Sequence, residues 1–273
     1  MKTRTTRTGL GITATLALSL LVALGLGRGV AYAADGDLDY SFGGGDGLVT
    51  ANFHDTPDEA RAVAIQPDGK IVAVGTTLIS GTDYNFSVAR YNSDGSPDTT
   101  FGGGDGKLTT DIFSGSSDKA NSVAIQPDGK IVAVGDMIGN NGTYQDFAAV
   151  RYNPDGTLDN TFGSQGRVWF VIDSGGVSVA YGVAIQDDGK IVMAGYAIPD
   201  GGAPNFALTR LTPDGTSFDT TFDGDGKVTT DFFGGVDEVH AVAIYGDRII
   251  VAGLAQISGF NYDVALARYN LNG

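Results

Sequence analysis

Cysteine does not occur in the 273 residues. Disulfides therefore contribute nothing, and burial and strand pairing must hold the fold together. Histidine is nearly as scarce, with two copies, His54 and His240. Neither G-x-S-x-G nor H-E-x-x-H is present, which removes those two hydrolase signatures. Positive charge is also thin, with 17 Lys and Arg against 32 Asp and Glu. A surface that acidic repels nucleic acid and anionic lipid, suits solubility outside a cell and attracts cations. No 3.6-residue apolar period survives for three turns, while Gly is abundant at 42 residues. Helices are excluded as the main element, and strands with tight turns are favoured.

Long apolar runs are missing with one exception. Residues 1–33 begin with Lys2, Arg4 and Arg7, continue through an apolar stretch at 10–27, and end in Ala31-Tyr32-Ala33. That order predicts a secretory signal cleaved after an A-x-A site, with an uncleaved anchor as the competing reading. There is no twin-Arg pair and no lipobox cysteine, so general export is the simplest route, and the protein is expected to be secreted or held at a bacterial cell surface. Cleavage would remove four basic residues and leave 13 against 32 acidic ones, a net charge of −19. No later stretch reaches the ~18 apolar residues of a spanning helix, so no membrane association is expected after cleavage.

What fills the remaining 240 residues is one unit written four times. Ala-Ile-Gln-Pro-Asp-Gly-Lys-Ile-Val occupies 64–72 and 124–132, and recurs at 184–192 with Asp187 in place of Pro. A shortened version runs from Ala243 through Tyr245-Gly246-Asp247-Arg248 to Val251. A 60-residue period means stacked or radially arranged supersecondary units. In the second copy, short strand-like runs appear at 122–125, 130–135, 147–152 and 167–171, divided by Gly, Asp, Asn and Pro. The turn Pro127-Asp128-Gly129 fits a tight hairpin, because Pro presets φ at one corner and Gly takes the left-handed corner. The Ala/Val/Ile-rich runs belong near a crowded centre and the Thr/Lys/Asp-rich fourth run at a wet rim. The expected fold is all-β, a propeller of four four-stranded antiparallel blades.

The C-terminal Arg-Tyr-Asn-Leu-Asn-Gly stops where the segment around Asp39 and Phe42 takes up the repeat. The ring is therefore expected to close by the N-terminal run at 48–53 pairing in the last blade, which leaves no long exposed edge. An open solenoid is the alternative, and it would call for capping units. Association of two chains into a larger ring also stays open, beside a monomer.

Three phrases recur in order: Gln-Pro-Asp-Gly-Lys-Ile-Val at 66–72 and 126–132, Arg-Tyr-Asn-x-Asp-Gly at 90–95 and 151–156, and Asp-x-x-Phe-Gly at 98–102 and 159–163. In these phrases the chain resembles the delta-60 repeat family of secreted bacterial proteins, over all of 34–273. The resemblance implies a β-propeller-like array and carries no general biochemical activity to transfer. The strand order is similar, more loosely, to NHL-type propellers. Leu211 in place of Tyr and Asp223 in place of Gly depart from the pattern, as does the shortened turn at 245–248, and they imply local variation of turns.

Residues present in every copy read most economically as structural. Arg90, Arg151, Arg210 and Arg268 occupy matching positions, and so do Asp39, Asp98, Asp159 and Asp219. Four equivalent catalytic sites would be odd, so no catalytic residue and no cofactor is assigned. Calcium deserves consideration at Asp94/Asp98, Asp155/Asp159 and Asp214/Asp219, although no EF-hand loop or nonapeptide series accompanies them. Gly102 to Lys107 imitates a phosphate loop, but Leu108 stands where Ser or Thr is required and no helix follows. His240 takes the place of Arg61, Asn121 and Tyr181 in other copies, which reads as a tolerant surface position. The loops that vary most, 76–85, 136–146, 196–205 and 254–263, would share one face. Their Tyr84, Tyr144, Tyr196, Phe260 and Tyr262 are the candidate ligand-binding residues. The function expected is a non-catalytic secreted module that binds an extracellular glycan or protein or serves a structural role. The alternative is a metal-assisted extracellular hydrolase or lyase.

Overall fold

The computed structural model describes residues 36–139, 142, 144–173 and 176–273. The expected leader at 1–33 lies outside them. The chain divides into two bodies, Met1–Asp37 and Leu38–Gly273, and every strand belongs to the second. All regular structure among the described residues is β. Repeat 1 contains β1 (Asp58–Ile65), β2 (Ile71–Ser80), β3 (Asp83–Tyr91) and β4 (Lys107–Thr110). Repeat 2 contains β5 (Ser117–Ile125), β6 (Ile131–Ile138), β7 (Gln145–Tyr152) and β8 (Arg167–Phe170). Repeat 3 contains β9 (Val177–Ile185), β10 (Ile191–Ile198), β11 (Asn205–Leu211) and β12 (Lys227–Thr230). Repeat 4 has β13 (Asp237–Tyr245), β14 (Arg248–Ser258) and β15 (Asn261–Asn270).

Each repeat is an antiparallel meander because its turns are written into the chain. Between β5 and β6, Gly129 N–H donates to Gln126 O at 2.9 Å and Gln126 N–H to Lys130 O at 2.9 Å, with Gly129 at φ +83°. The apolar second and third strands are buried throughout repeats 2 and 3, and the four-residue fourth strands lie half-exposed at the rim. The sequence gradient from apolar to polar therefore maps onto depth. One parallel pair, Gln145 with Val177, bridges the sheets of repeats 2 and 3.

The first strands depart from the expected pattern. In repeat 2 the strand begins at Ser117, well before the run at 122–125, and it carries a bulge between Ala120 and Ser122. Matching breaks in register leave out Arg61, Tyr181 and His240 in the other repeats. Facing each bulge is a glycine. A Cβ on Gly135 would stand 1.8 Å from Lys119 O, and Gly75, Gly195 and Gly253 meet the same obstacle. The glycine lets the bulged carbonyl come close, and the extra residue is turned away from the ladder.

Three apolar cores lie at the boundaries between consecutive repeats. Val72, Val74, Phe86 and Val88 of repeat 1 meet Ile131, Ala133, Val150 and Tyr152 of repeat 2. Equivalent sets pack repeat 2 on repeat 3 and repeat 3 on repeat 4.

Two expectations about the ends need correction. The fourth repeat has three strands, and its β15 pairs with β14 alone. The ring is not closed by the N-terminal run, since 48–51 forms no strand. That segment lies instead on repeat 1, where Gly43 N–H donates to Asp94 O at 2.9 Å and Phe53 N–H to Asp58 Oδ2 at 3.0 Å. Local contacts with its sequence neighbour engage it.

Candidate functional site

The two ends of the meanders differ in chemistry. At the Pro-Asp-Gly end the first three repeats carry the same buried ion pair. Arg90 Nε meets Asp98 Oδ2 at 2.7 Å, Arg151 meets Asp159 at 2.7 Å, and Arg210 meets Asp219 at 2.8 Å. Lys70, Lys130 and Lys190 approach the same carboxylates at 3.0, 3.2 and 3.1 Å. Each guanidinium lies over a phenylalanine, Phe101, Phe162 or Phe222. It also donates to a carbonyl of the following repeat, Pro154, Pro213 or Leu271. These are inter-repeat rivets.

Burial pushes the Asp98 carboxyl up, but the Thr100 hydroxyl, Lys70, the Thr100 N–H and Arg90 together hold it well below the usual carboxylate range. Asp159 follows the same balance, and Asp219 comes to about 2. Of the oxygens considered for calcium, these are thus engaged by cations. Those of Asp94, Asp155 and Asp214 accept from Ser96, Thr157 and Thr216 in their own turns. Among the described residues no three His, Cys, Asp or Glu side chains come together as a metal site.

At the opposite end the bulge residues, different in every repeat, form a polar row. Arg61 donates to Asn121 Oδ1 at 2.7 Å, and Asn121 Nδ2 donates to Ala180 O at 2.9 Å and to Asp136 Oδ1 at 3.0 Å. Gln145 Nε2 holds the other Asp136 oxygen at 2.7 Å. Tyr181 stacks on His240 at 5.2 Å and leans on Tyr196 at 6.0 Å. Two carboxylates flank the row. Glu59 is paired with Arg61 at 3.0 Å, and Glu238 lies 3.7 Å from His240.

Burial raises the Asp136 carboxyl, against the opposing pull of the Gln145 and Asn121 amides, Lys119 and Arg61. Burial, with Tyr181, Glu238 and Asp136 nearby, also raises Tyr196, to about 12. Nearby, Asp118 is raised to about 7 by burial, with Asp111 and Asp83 adding to it, although Ser116 and the Ile112 N–H oppose.

The loop aromatics do not form one site. Tyr196 belongs to the row, and Tyr84 lies beneath Lys119 with its ring 5.6 Å from the ammonium. Tyr144 instead lines a separate groove of about 380 Å³ with Phe113, Met137 and Trp169. Phe260 is 99% exposed on the last hairpin, with Tyr262 beside it. Variation of Arg61, Asn121, Tyr181 and His240 at one position reads as tolerance in the sequence, which does not show that the four share a bulge. The available signal was the glycine repeated opposite each of them.

Three stretches, 66–101, 126–162 and 186–222, match a family model described as a domain of unknown function (DUF5122) beta-propeller. They support a propeller-type repeat family. No curated protein matches the chain. Among solved structures, the chain is similar to an alpha-L-arabinofuranosidase from Clostridium thermocellum at 14% identity, covering 77% of this chain and 68% of that one, with a TM-score of 0.37. It is similar to an endo-arabinase from Bacteroides thetaiotaomicron at 14% identity, over 76% and 73%, with a TM-score of 0.43. An acylaminoacyl peptidase from Pyrococcus horikoshii shares 12% identity over 78% of this chain and 32% of its own, with a TM-score of 0.41. These are enzymes, and the two named first are glycoside hydrolases. The expectation of a non-catalytic binding or structural module is corrected on that finding. At such scores no substrate or residue role passes from them to this chain.

Proposed function

We propose that this chain is a hydrolase of extracellular glycosides and that the bulge row is its reactive surface. One observation carries the reading: two solvent-reachable carboxylates, Glu59 and Glu238, lie on a single row in different company. The neighbour of Glu59 is permanently cationic Arg61, whereas that of Glu238 is His240, charged only when protonated. Glycoside hydrolysis needs one carboxyl to give a proton and a second to act as base or nucleophile. Glu59 and Glu238 are assigned as that pair. Tyr181, Tyr196 and His240 offer flat faces for sugar rings. Asp136 reaches no solvent and acts as a positioning residue, fixing the Asn121 amide that in turn receives Arg61.

The delta-60 character of the repeats and export through the leader at 1–33 belong to the same reading. Tyr84 flanks the row as a further contact. The reading assigns no metal. Aryl glycosides of several sugars, offered to the purified protein, test it: Glu59→Gln and Glu238→Gln should each lower kcat/KM on the order of 100-fold or more. Absence of turnover on every glycoside rejects the proposal.

A further inference from the structure

Each internal boundary joins a forward face to a receiving face. The forward face comes from the second and third strands, Val132, Val134, Phe147 and Ala149 in repeat 2, all fully buried. Its counterpart in repeat 4 is Ile250, Ala252, Val264 and Leu266, and there Val264 is 83% and Leu266 63% exposed. At the other end of the array, the receiving face of repeat 1 is open. Ile71, Ala73, Ala89 and Tyr91 line a cavity of about 400 Å³, walled on one side by Phe42 of the N-terminal segment. Their equivalents Ile131, Ala133, Val150 and Tyr152 are sealed under repeat 1. Val63 and Ile65 on the same face are 65% and 70% exposed.

The polar groups show the same mismatch. Arg90, Arg151 and Arg210 are buried, each against an aspartate and over a phenylalanine, but Arg268 is exposed and forms no ion pair among the described residues. By sequence register its partners are Asp39 and Phe42. Asp39 accepts from Ser41 and pairs with no cation among the described residues. Phe42 already lies against Gly95 of repeat 1, as Phe101 lies against Gly156. The N-terminal segment is thus set at the repeat 1 boundary, and only the incoming face is missing.

We infer that a second copy of this chain fills that place. Repeat 4 of one copy seats on repeat 1 of the other, Arg268 pairs with Asp39 of the second copy, and residues 48–51 of that copy lie along β15. The contact is head-to-tail and is made twice in a twofold ring of eight repeats, which closes without leaving an edge. The occupant is specified by the continuity of the interface. The two open faces are the two halves of a boundary that the chain builds three times internally, so a second copy offers each its matching half. This inference does not depend on the glycosidase reading.

Light scattering on the purified chain tests it, with the mass of two chains expected. Leu266→Lys and Ile65→Lys each place a charge on one exposed half, so folding should be unaffected, as circular dichroism would check. Each variant alone should have the mass of one chain. An equimolar mixture should regain the two-chain mass, because each variant retains the half that the other has lost. Phe260→Lys, on an exposed hairpin tip, should leave the dimer intact. A single-chain mass for the unmodified protein overturns the inference, including the case where hydrogen exchange shows β15 protected within one chain. Dimers that survive Leu266→Lys and Ile65→Lys overturn it equally.

Discussion

The Arg–Asp end and the bulge end of this protein are built on the same strands and obey opposite rules. At the first, three repeats place the same residues in the same geometry, with Arg90, Arg151 and Arg210 each closing on an aspartate, a phenylalanine and the next repeat. At the second, one backbone device, a bulge opposite a glycine, presents Arg61, Asn121, Tyr181 and His240 in turn. Repetition serves cohesion, since every boundary faces the same packing problem. On the proposed glycosidase reading, divergence on a repeated bulge serves chemistry, since a substrate with no internal symmetry requires a different group at each point. Substitutions at the two ends should therefore separate stability from turnover.

The largest effect is expected from Arg151→Ala. It leaves Asp159 buried beside Lys130 alone and empties the space over Phe162, so denaturant unfolding should show a loss of about 3–5 kcal/mol. Phe162→Ala should cost a similar amount, about 3–5 kcal/mol, by opening a cavity between repeats. Equal stability of either variant and the unmodified protein would remove the rivet from the account. Gly135→Ala comes next. Its Cβ would collide with Lys119 O, so the bulge must shift, at about 1–3 kcal/mol, and Asn121 and Asp136 with it. Both stability and turnover should fall, which joins the two ends in one variant.

The pH dependence is smaller and has two signs. Asp98, Asp159 and Asp219 have folded pKa values below their ordinary ones, so their contribution is present above about pH 4 and is lost as pH falls toward those values. Asp118 is raised to about 7, so the folded state binds more protons than the unfolded one between about pH 4 and 7. Its contribution weakens as pH rises through that window. Asp118→Asn should flatten the decline between about pH 4 and 7 and leave the acid limb in place. Unfolding titrations at several pH values check both limbs, and an unchanged slope would reject the assignment to Asp118.

Much of the fold is legible in the residues. The Gln-Pro-Asp-Gly-Lys turn, the apolar second strand and the polar fourth run announce a four-stranded meander, and the matched spacing of Arg151 and Asp159 announces their role. The bulges are harder to read, because one extra residue in Lys119-Ala120-Asn121-Ser122 changes neither composition nor length enough to break the strand pattern. Only Gly135, placed where an apolar strand has no need of glycine, betrays the close approach. The row of bulge residues is illegible for the same reason, since Asn121 and Tyr181 meet their partners across repeat boundaries that local spacing does not show. Closure does not follow from register alone: register identifies 48–53 as the missing rim strand, but 48–51 forms no strand and the N-terminal segment is held on repeat 1 by Gly43 and Phe53.

Paired measurement of thermal stability and glycoside turnover in Glu238→Gln and Arg151→Ala tests the division of labour most directly. Glu238→Gln should keep its melting temperature and lose on the order of 100-fold in kcat/KM, whereas Arg151→Ala should melt markedly lower and, at temperatures where it stays folded, turn substrate over at a near-normal rate. Turnover in Glu238→Gln equal to that of the unmodified protein, or none in any form, would contradict the account.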